Sequence, residues 1–132
     1  MRKGFTLLEL IIVVIIIGIL ATIGFGQYSK VMEKGRKSEA LSILGNIRGA
    51  EAAFYLENGA YTATLSSLYI ETLPPAGCWT SFYFSYSAAA ATGTGTAVRC
   101  QAGGKTPNVT AANAYSLTMN IDGAVACTGY CP

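Results

Sequence analysis

The sequence predicts an α+β protein in which one long N-terminal helix packs on a small antiparallel sheet. Residues 5–25 are almost continuously apolar, and apolar side chains then recur at helical spacing through residues 40–54. Residues 115–121 instead alternate between apolar and polar side chains, as a half-buried strand does. The chain has 132 residues, which is enough for one domain.

The first half of the predicted helix, residues 5–25, carries a single charge, Glu9. A helix of this length spans roughly 30 Å, the hydrocarbon thickness of a bilayer. Arg2 and Lys3 precede it, so the positive-inside rule predicts a cytoplasmic N-terminus with the rest of the chain across the membrane. A carboxylate in hydrocarbon is costly unless it is protonated or paired. The Glu9 carboxylate therefore either reaches the lipid headgroups or pairs with a cation supplied by another protein.

The second half of the helix is predicted to be amphipathic and to end near Leu56, before the stop signal Asn58-Gly59. The charged residues between Lys30 and Glu39 are interpreted as a solvated helix face. The side chains expected to cover a globular head are Ala40, Leu41, Leu44, Ile47, Ala50, Ala53 and Phe54.

Two strands are predicted in the middle of the chain. Residues 81–87 are rich in aromatic side chains that favour strands, and residues 96–102 are a second candidate. The low-complexity segment between them, residues 88–96, is expected to be a flexible connection.

The strongest strand signal is a hairpin near the C-terminus. The alternation in residues 115–121 is followed by Asp122-Gly123, a dipeptide typical of a type I′ turn. Residues 124–127 are expected to form the returning strand. The hairpin makes the sheet antiparallel.

Four cysteines, Cys78, Cys100, Cys127 and Cys131, lie in the second half of the chain. An even number in a small domain that follows a membrane segment indicates disulfides in an oxidising compartment. Free thiols or a zinc site of four thiolates are the alternatives, although no close CxxC pair favours zinc. Four cysteines allow three pairings. Sequence order favours Cys78–Cys100 and Cys127–Cys131.

The composition argues against an enzyme and predicts no cofactor and no metal. The chain has no histidine, which removes the commonest general base and metal ligand. Outside the long helix expected to end near Leu56, the only acids are Glu57, Glu71 and Asp122, and no catalytic motif accompanies them. The net charge of +2 comes from Arg2 and Lys3, so no basic footprint for nucleic acid is predicted.

Residues 2–9, RKGFTLLE, resemble the class III signal of type IV pilins and type II secretion pseudopilins. The resemblance implies a leader of residues 1–4 that a prepilin peptidase removes between Gly4 and Phe5. The same enzyme would methylate the new amine of Phe5. Glu9 becomes the fifth mature residue, and in this family it is thought to neutralise the amine of a neighbouring subunit. The implied division is residues 5–28 for the membrane and filament-core part and residues 29–132 for the head.

Residues 52–68 also resemble the family, in which an aromatic residue and a Gly-x-Tyr follow the first helix.

Gly18, Gly24 and Gly26 interrupt the apolar helix, and each costs up to about 1 kcal/mol relative to alanine. Type IV pilins often carry proline where Gly26 stands. We therefore expect a weak helical segment from Gly18 to Gly26 without a fixed kink.

The resemblance implies a structural subunit, the major pilin of a type IV pilus that serves adhesion, twitching motility or DNA uptake. Its expected partners are further copies of itself in a helical filament, the prepilin peptidase, and the assembly platform with its ATPases. The expected location is the bacterial inner membrane before assembly and the extracellular pilus afterwards.

Three alternatives remain at this level: a minor pilin, a pseudopilin of a periplasmic pseudopilus, and a simple membrane-anchored binding module. Major pseudopilins hold calcium in an acidic C-terminal loop, whereas Asp122 is the only acid after Glu71 here. Glu9 disfavours the minor subunit that begins the filament tip, because that subunit lacks this acid.

Overall fold

A computed structural model describes residues 4–132 and contains one long helix and one sheet. The helix, α1, runs over Leu7–Asn58, which confirms the prediction of a continuous helix. Gly59 ends it with a φ of 72°, and its N–H donates to the carbonyl of Tyr55 at 2.8 Å. The Asn58 amide donates to the carbonyl of Phe54 at 3.0 Å. These two bonds satisfy carbonyls that a helix end leaves open.

The chain divides into two compact units. The N-terminal unit ends at Gly35 and consists, over its described residues, of a short non-helical start and the first part of α1. The second unit, Arg36–Cys131, is called the head below and contains the rest of α1 and the sheet.

The sheet has four antiparallel strands whose spatial order follows their order in the chain. Two short 3-10 turns, Leu65–Ser67 and Ala111–Asn113, lie in the connections. The antiparallel sheet and the helix confirm the predicted α+β class. The strands are β1 Phe84–Ala89, β2 Thr94–Arg99, β3 Tyr115–Met119 and β4 Val125–Gly129.

The prediction of a flexible connection over residues 88–96 is wrong, because this segment forms a hairpin between β1 and β2. Ala89 pairs with Thr94, and the N–H of Gly93 donates to the carbonyl of Ala89 at 2.8 Å. The small residues are required by packing: a Cβ added at Gly95 would lie 3.0 Å from a methyl carbon of Leu44. Tertiary contact with the helix overrides the weak strand propensity of this stretch.

The hairpin of β3 and β4 is present as predicted, but its turn is of a different type. Type I′ requires positive φ at both central residues, and among residues 4–132 only glycines have positive φ. Gly123 has a φ of 89°, and its N–H donates to the carbonyl of Asn120 at 3.0 Å. The side-chain oxygen of Asn120 accepts from the N–H of Ala124 at 2.8 Å. Asn120 therefore organises the turn that was assigned to Asp122.

The core of the head lies between α1 and one face of the sheet. Ala40, Leu44, Ile47 and Glu51 are the buried helix positions, and they recur every three or four residues along one face. Ala53 was expected on this face but is exposed, because it lies about 200° around the helix from Glu51. The sheet and loops contribute Leu65, Leu68, Phe84, Tyr86, Ala97, Tyr115, Leu117 and Met119.

Two disulfides, Cys78–Cys100 and Cys127–Cys131, complete the head. Their Cα atoms are 5.8 and 6.1 Å apart, within the usual range. They are the pairs that sequence order favours. The first ties the loop before β1 to the residue after β2, and the second closes a short loop between β4 and the C-terminus.

Candidate assembly site

The bond between Gly4 and Phe5 lies on the non-helical segment that precedes α1. Phe5 is 82% exposed, and apart from its chain neighbours nothing in the described chain lies within 4 Å of a Cβ added at Gly4. Among the described residues, the predicted cleavage position is therefore open on a non-helical segment. Arg2 and Lys3, the basic part of the predicted leader, lie outside the described residues.

Glu9 is held by a reciprocal set of hydrogen bonds with Thr6. The backbone N–H and the hydroxyl of Thr6 donate to Glu9 Oε2 at 2.9 and 2.8 Å. The Thr6 hydroxyl oxygen accepts from the N–H of Glu9 at 3.3 Å. This is a capping box, in which the N-cap residue and the third residue of the helix satisfy each other's backbone N–H groups. Sequence analysis did not assign Thr6 a role, although T-x-x-E before an apolar run is the signature of this motif.

The capping box fixes the Glu9 carboxylate at the start of the helix, where the helix dipole favours negative charge. Both Thr6 bonds reach Oε2, and within residues 4–132 no donor reaches Oε1. A carboxylate accepts several hydrogen bonds. Among residues 4–132, the geometry therefore leaves Oε1 of Glu9 open to a further donor.

The N-terminal unit exposes its apolar surface. Every large hydrophobic side chain from Phe5 to Phe25 is at least 47% exposed. Helix α1 contains an 18-residue window of mean hydropathy 2.9, none of it buried, so it is long and apolar enough to cross a membrane. Contiguous apolar surface of this extent marks a lipid or protein contact.

Helix α1 continues through Gly18, Gly24 and Gly26, and nothing else in the described chain lies within 4 Å of a Cβ added at any of them. These positions therefore leave room for a close approach of another helix, which small residues permit. A weakened helix over this segment stays a prediction.

Two of the buried titratable groups in the head, Glu51 and Tyr86, have shifted pKa values. Glu51 is fully buried, and its Oε2 accepts from the N–H of Thr62 at 3.1 Å, while Oε1 has no partner in the described chain. Burial raises the pKa of Glu51, and the bond from Thr62 opposes that change. Burial and the charge of Glu39 raise the pKa of Tyr86 well above its usual value. Sequence analysis missed Glu51, although its position four residues after Ile47 continues the buried face.

Comparisons with known proteins match the N-terminal region. Residues 1–25 match the family model of the prokaryotic N-terminal methylation motif. The fimbrial protein EcpC of Eikenella corrodens is 42% identical over 47% of this chain and 40% of its own length. The type IV major pilin PilE1 of Neisseria gonorrhoeae is 32% identical over 56% of this chain and 45% of its own. The type IV major pilin PilA of Myxococcus xanthus is 42% identical over 46% and 28%, respectively.

The matched region spans less than half the length of each of these relatives. No solved structure matches the chain significantly. The relatives are structural pilins and not enzymes, in agreement with the expectation from composition. In its methylation motif, its fimbrial relatives and its helix-on-sheet fold, the chain is similar to type IV pilins.

Proposed function

We propose that this chain is the major subunit of a type IV pilus, cleaved after Gly4 and methylated on the amine of Phe5. The observation that carries the proposal is the N-terminal unit itself: an exposed apolar helix that begins with a capped carboxylate. In this proposal residues 1–4 are the leader, residues 5–28 enter the membrane and later the filament core, and residues 29–132 remain outside it.

Assembly would exchange lipid for neighbouring helices along residues 5–25. In that environment an unpaired amine and an unpaired carboxylate are each costly, and pairing removes most of that cost. Glu9 of one subunit would form an ion pair with the Phe5 amine of a neighbour through Oε1, the oxygen that Thr6 does not contact. One buried charge pair can thereby fix the register of stacked helices.

The proposal includes the partners that such a subunit requires: a prepilin peptidase, an assembly platform and its ATPases. The chain would be held in the inner membrane and then move into an extracellular filament. Adhesion, twitching motility or DNA uptake are the roles proposed for that filament. Several matched relatives are named type IV major pilins. These names support a major subunit over a minor one and a pilus over a pseudopilus.

The first test is the intact mass of the chain in filaments sheared from its native cells, without reducing agent. We expect the mass of residues 5–132 plus one methyl group, less four hydrogens for two disulfides. A processed chain that stays in the membrane and is absent from the sheared fraction would favour a pseudopilus. An uncleaved chain would overturn both and leave a membrane anchor.

The second test is substitution of Glu9. Glu9→Ala should reduce the filament yield by more than about tenfold, because the neighbour's amine would then be buried without a partner. Glu9→Gln retains an acceptor and removes the charge, so it separates ion pairing from hydrogen bonding. Glu71→Gln, which removes an exposed charge in the head, is the matched control and should assemble normally. Full assembly of Glu9→Ala would contradict the charge-pair account.

A further inference from the structure

Three cationic side chains of the head gather around one aromatic ring. The Lys105 ammonium lies 4.8 Å from the centroid of Tyr83, and the guanidinium carbons of Arg99 and Arg36 lie at 5.2 and 5.4 Å. These distances are within the range of cation–π attraction. We call these four residues the Tyr83 cluster. They come from four separate positions in the sequence, so no sequence motif reveals them.

One side of the Tyr83 cluster is buried and hydrogen-bonded, and the other side is exposed to solvent. Arg99 is 1% exposed and donates to the carbonyls of Tyr83 at 2.9 Å and Pro107 at 2.8 Å. One carboxylate, that of Glu39, accepts from the N–H of Tyr83 at 3.3 Å. Lys105 is exposed, so its charge faces solvent on a fixed support. Positive charge therefore predominates at this end of the head.

Glu57 provides negative charge at the other end of the head. It lies in the last turn of α1, 21 residues after Arg36, which corresponds to about 31 Å along the helix. It is exposed, the last turn has no basic residue, and within residues 4–132 Glu57 forms no ion pair. A carboxylate at a helix C-terminus is electrostatically unfavourable, so it gains from an external cation. The adjacent Leu56 is 87% exposed and adds an apolar contact surface.

We propose that the Tyr83 cluster of one subunit receives Glu57 of a second copy, with Leu56 packing beside the Tyr83 ring. This inference rests on the proposed filament. Two different patches that complement each other form a heterologous contact, and repetition of such a contact generates an open helical assembly. The head thereby adds a polar contact to the apolar one made by the helices.

A second copy fits the charges of the head better than a polyanion does. The head carries five basic and five acidic side chains, so its overall field gives no attraction to nucleic acid. Three of the five basic side chains lie in the Tyr83 cluster, whereas Glu57 lies at the far end of α1. One exposed carboxylate matches one exposed ammonium, whereas a phosphate backbone requires a longer array of cations.

The direct test is cross-linking of sheared filaments of the full chain with a carbodiimide. This reagent joins an amine and a carboxylate in contact as an amide and takes up the released water as its urea. We expect mass spectrometry to find a peptide pair that joins Lys105 to Glu57, in covalent dimers and larger species. The separation of the two sites within one head is too large for a zero-length cross-link, so the product reports contact between copies.

Charge reversal provides the independent test. Lys105→Glu and Glu57→Lys should each lower the filament yield at low salt by about fivefold, the upper range for one exposed pair. The double variant should restore the yield to near the parent level. Lys105→Glu combined with Glu71→Lys is the matched control and should not be restored, because Glu71 lies beside the middle of the helix near Gly45 and Gly49. Retention of both disulfides under non-reducing conditions shows that each head has folded.

The outcomes separate this inference from the proposed function. If the parent chain forms no filaments, the proposed function fails. If filaments form without the Lys105–Glu57 cross-link, or if the double variant does not recover, the inference alone fails. If Lys105→Glu leaves assembly intact but abolishes binding of double-stranded DNA to filaments, the cluster serves a polyanion and the inference is overturned.

Discussion

The N-terminal unit and the head contain similarly apolar residues but use them in opposite ways. Leu44 and Ile47 in the head are fully buried against the sheet, whereas Val13 and Ile16 of the same helix are 47% and 50% exposed. The head buries much of its apolar surface within the chain. The N-terminal unit leaves its apolar surface exposed, and the proposed function places that surface against lipid or other copies. The comparison teaches that one helix buries its apolar side chains at one end and exposes them at the other, and the proposed function assigns the exposed end to association.

The largest effect that separates the two units is expected from truncation of the core. Leu44→Ala should lower the free energy of unfolding of the head by about 3 kcal/mol, because it removes buried methyl groups and leaves a cavity against Gly95. Urea unfolding of the full chain in detergent, followed by the fluorescence of the single tryptophan, Trp79, measures this change.

Val13→Ala is the matched control on the same helix. It should change the unfolding free energy of the head by less than about 0.5 kcal/mol, since Val13 lies in the N-terminal unit. It should instead lower filament yield. Equal effects of the two variants on unfolding would remove the distinction between the units.

The disulfides sharpen the comparison within the head, because they close loops of different length. Cys78–Cys100 spans 22 residues and Cys127–Cys131 spans four. The loop-entropy relation predicts losses of about 3 kcal/mol for the double serine variant of the first pair and about 2 kcal/mol for the second. Circular dichroism during urea unfolding gives both values. A larger loss from the short loop would contradict the entropic account.

The smallest expected effect concerns the pH dependence of the head. Since the pKa of Glu51 is raised in the folded state, its charged form is disfavoured there. Its contribution to stability is therefore greatest below the ordinary glutamate range and declines as the pH rises through the raised pKa. The stability of the parent relative to Glu51→Gln should fall between pH 4 and pH 7. The fall should be smaller than the losses expected from Leu44→Ala and from removal of either disulfide. A difference that stays constant across this range would contradict the inferred pKa.

Much of the fold is predictable from local patterns. The length of α1 follows from continuous helical periodicity and a glycine stop, and the β3–β4 hairpin follows from strict alternation. Residues 88–96 were mispredicted because their strands depend on contacts with Leu44 and Tyr61, which are distant in sequence. The turn at Asn120 was mispredicted because a side-chain hydrogen bond competes with the preference of Asp-Gly.

The candidate functional residues also divide into those that local sequence predicts and those that depend on tertiary contacts. The roles predicted for Phe5 and Glu9 rest on a local motif, residues 2–9, and Thr6 lies within the same motif. The Tyr83 cluster could not be found in this way. Arg36, Arg99 and Lys105 meet only after the sheet has folded on the helix, so their proximity is a product of tertiary structure.

The chain-ordered sheet has a consequence for how the head reaches its native state. Each strand pairs with its immediate predecessor, so the sheet forms from contacts that are short in sequence. This pairing keeps the connections between paired strands local, although the packing of the sheet on α1 joins residues that are far apart in the sequence. Each cysteine also bonds to its nearest cysteine along the chain, which limits scrambled isomers. Strand pairing and disulfide formation in the head can therefore proceed in chain order, without waiting for a segment that comes later in the sequence.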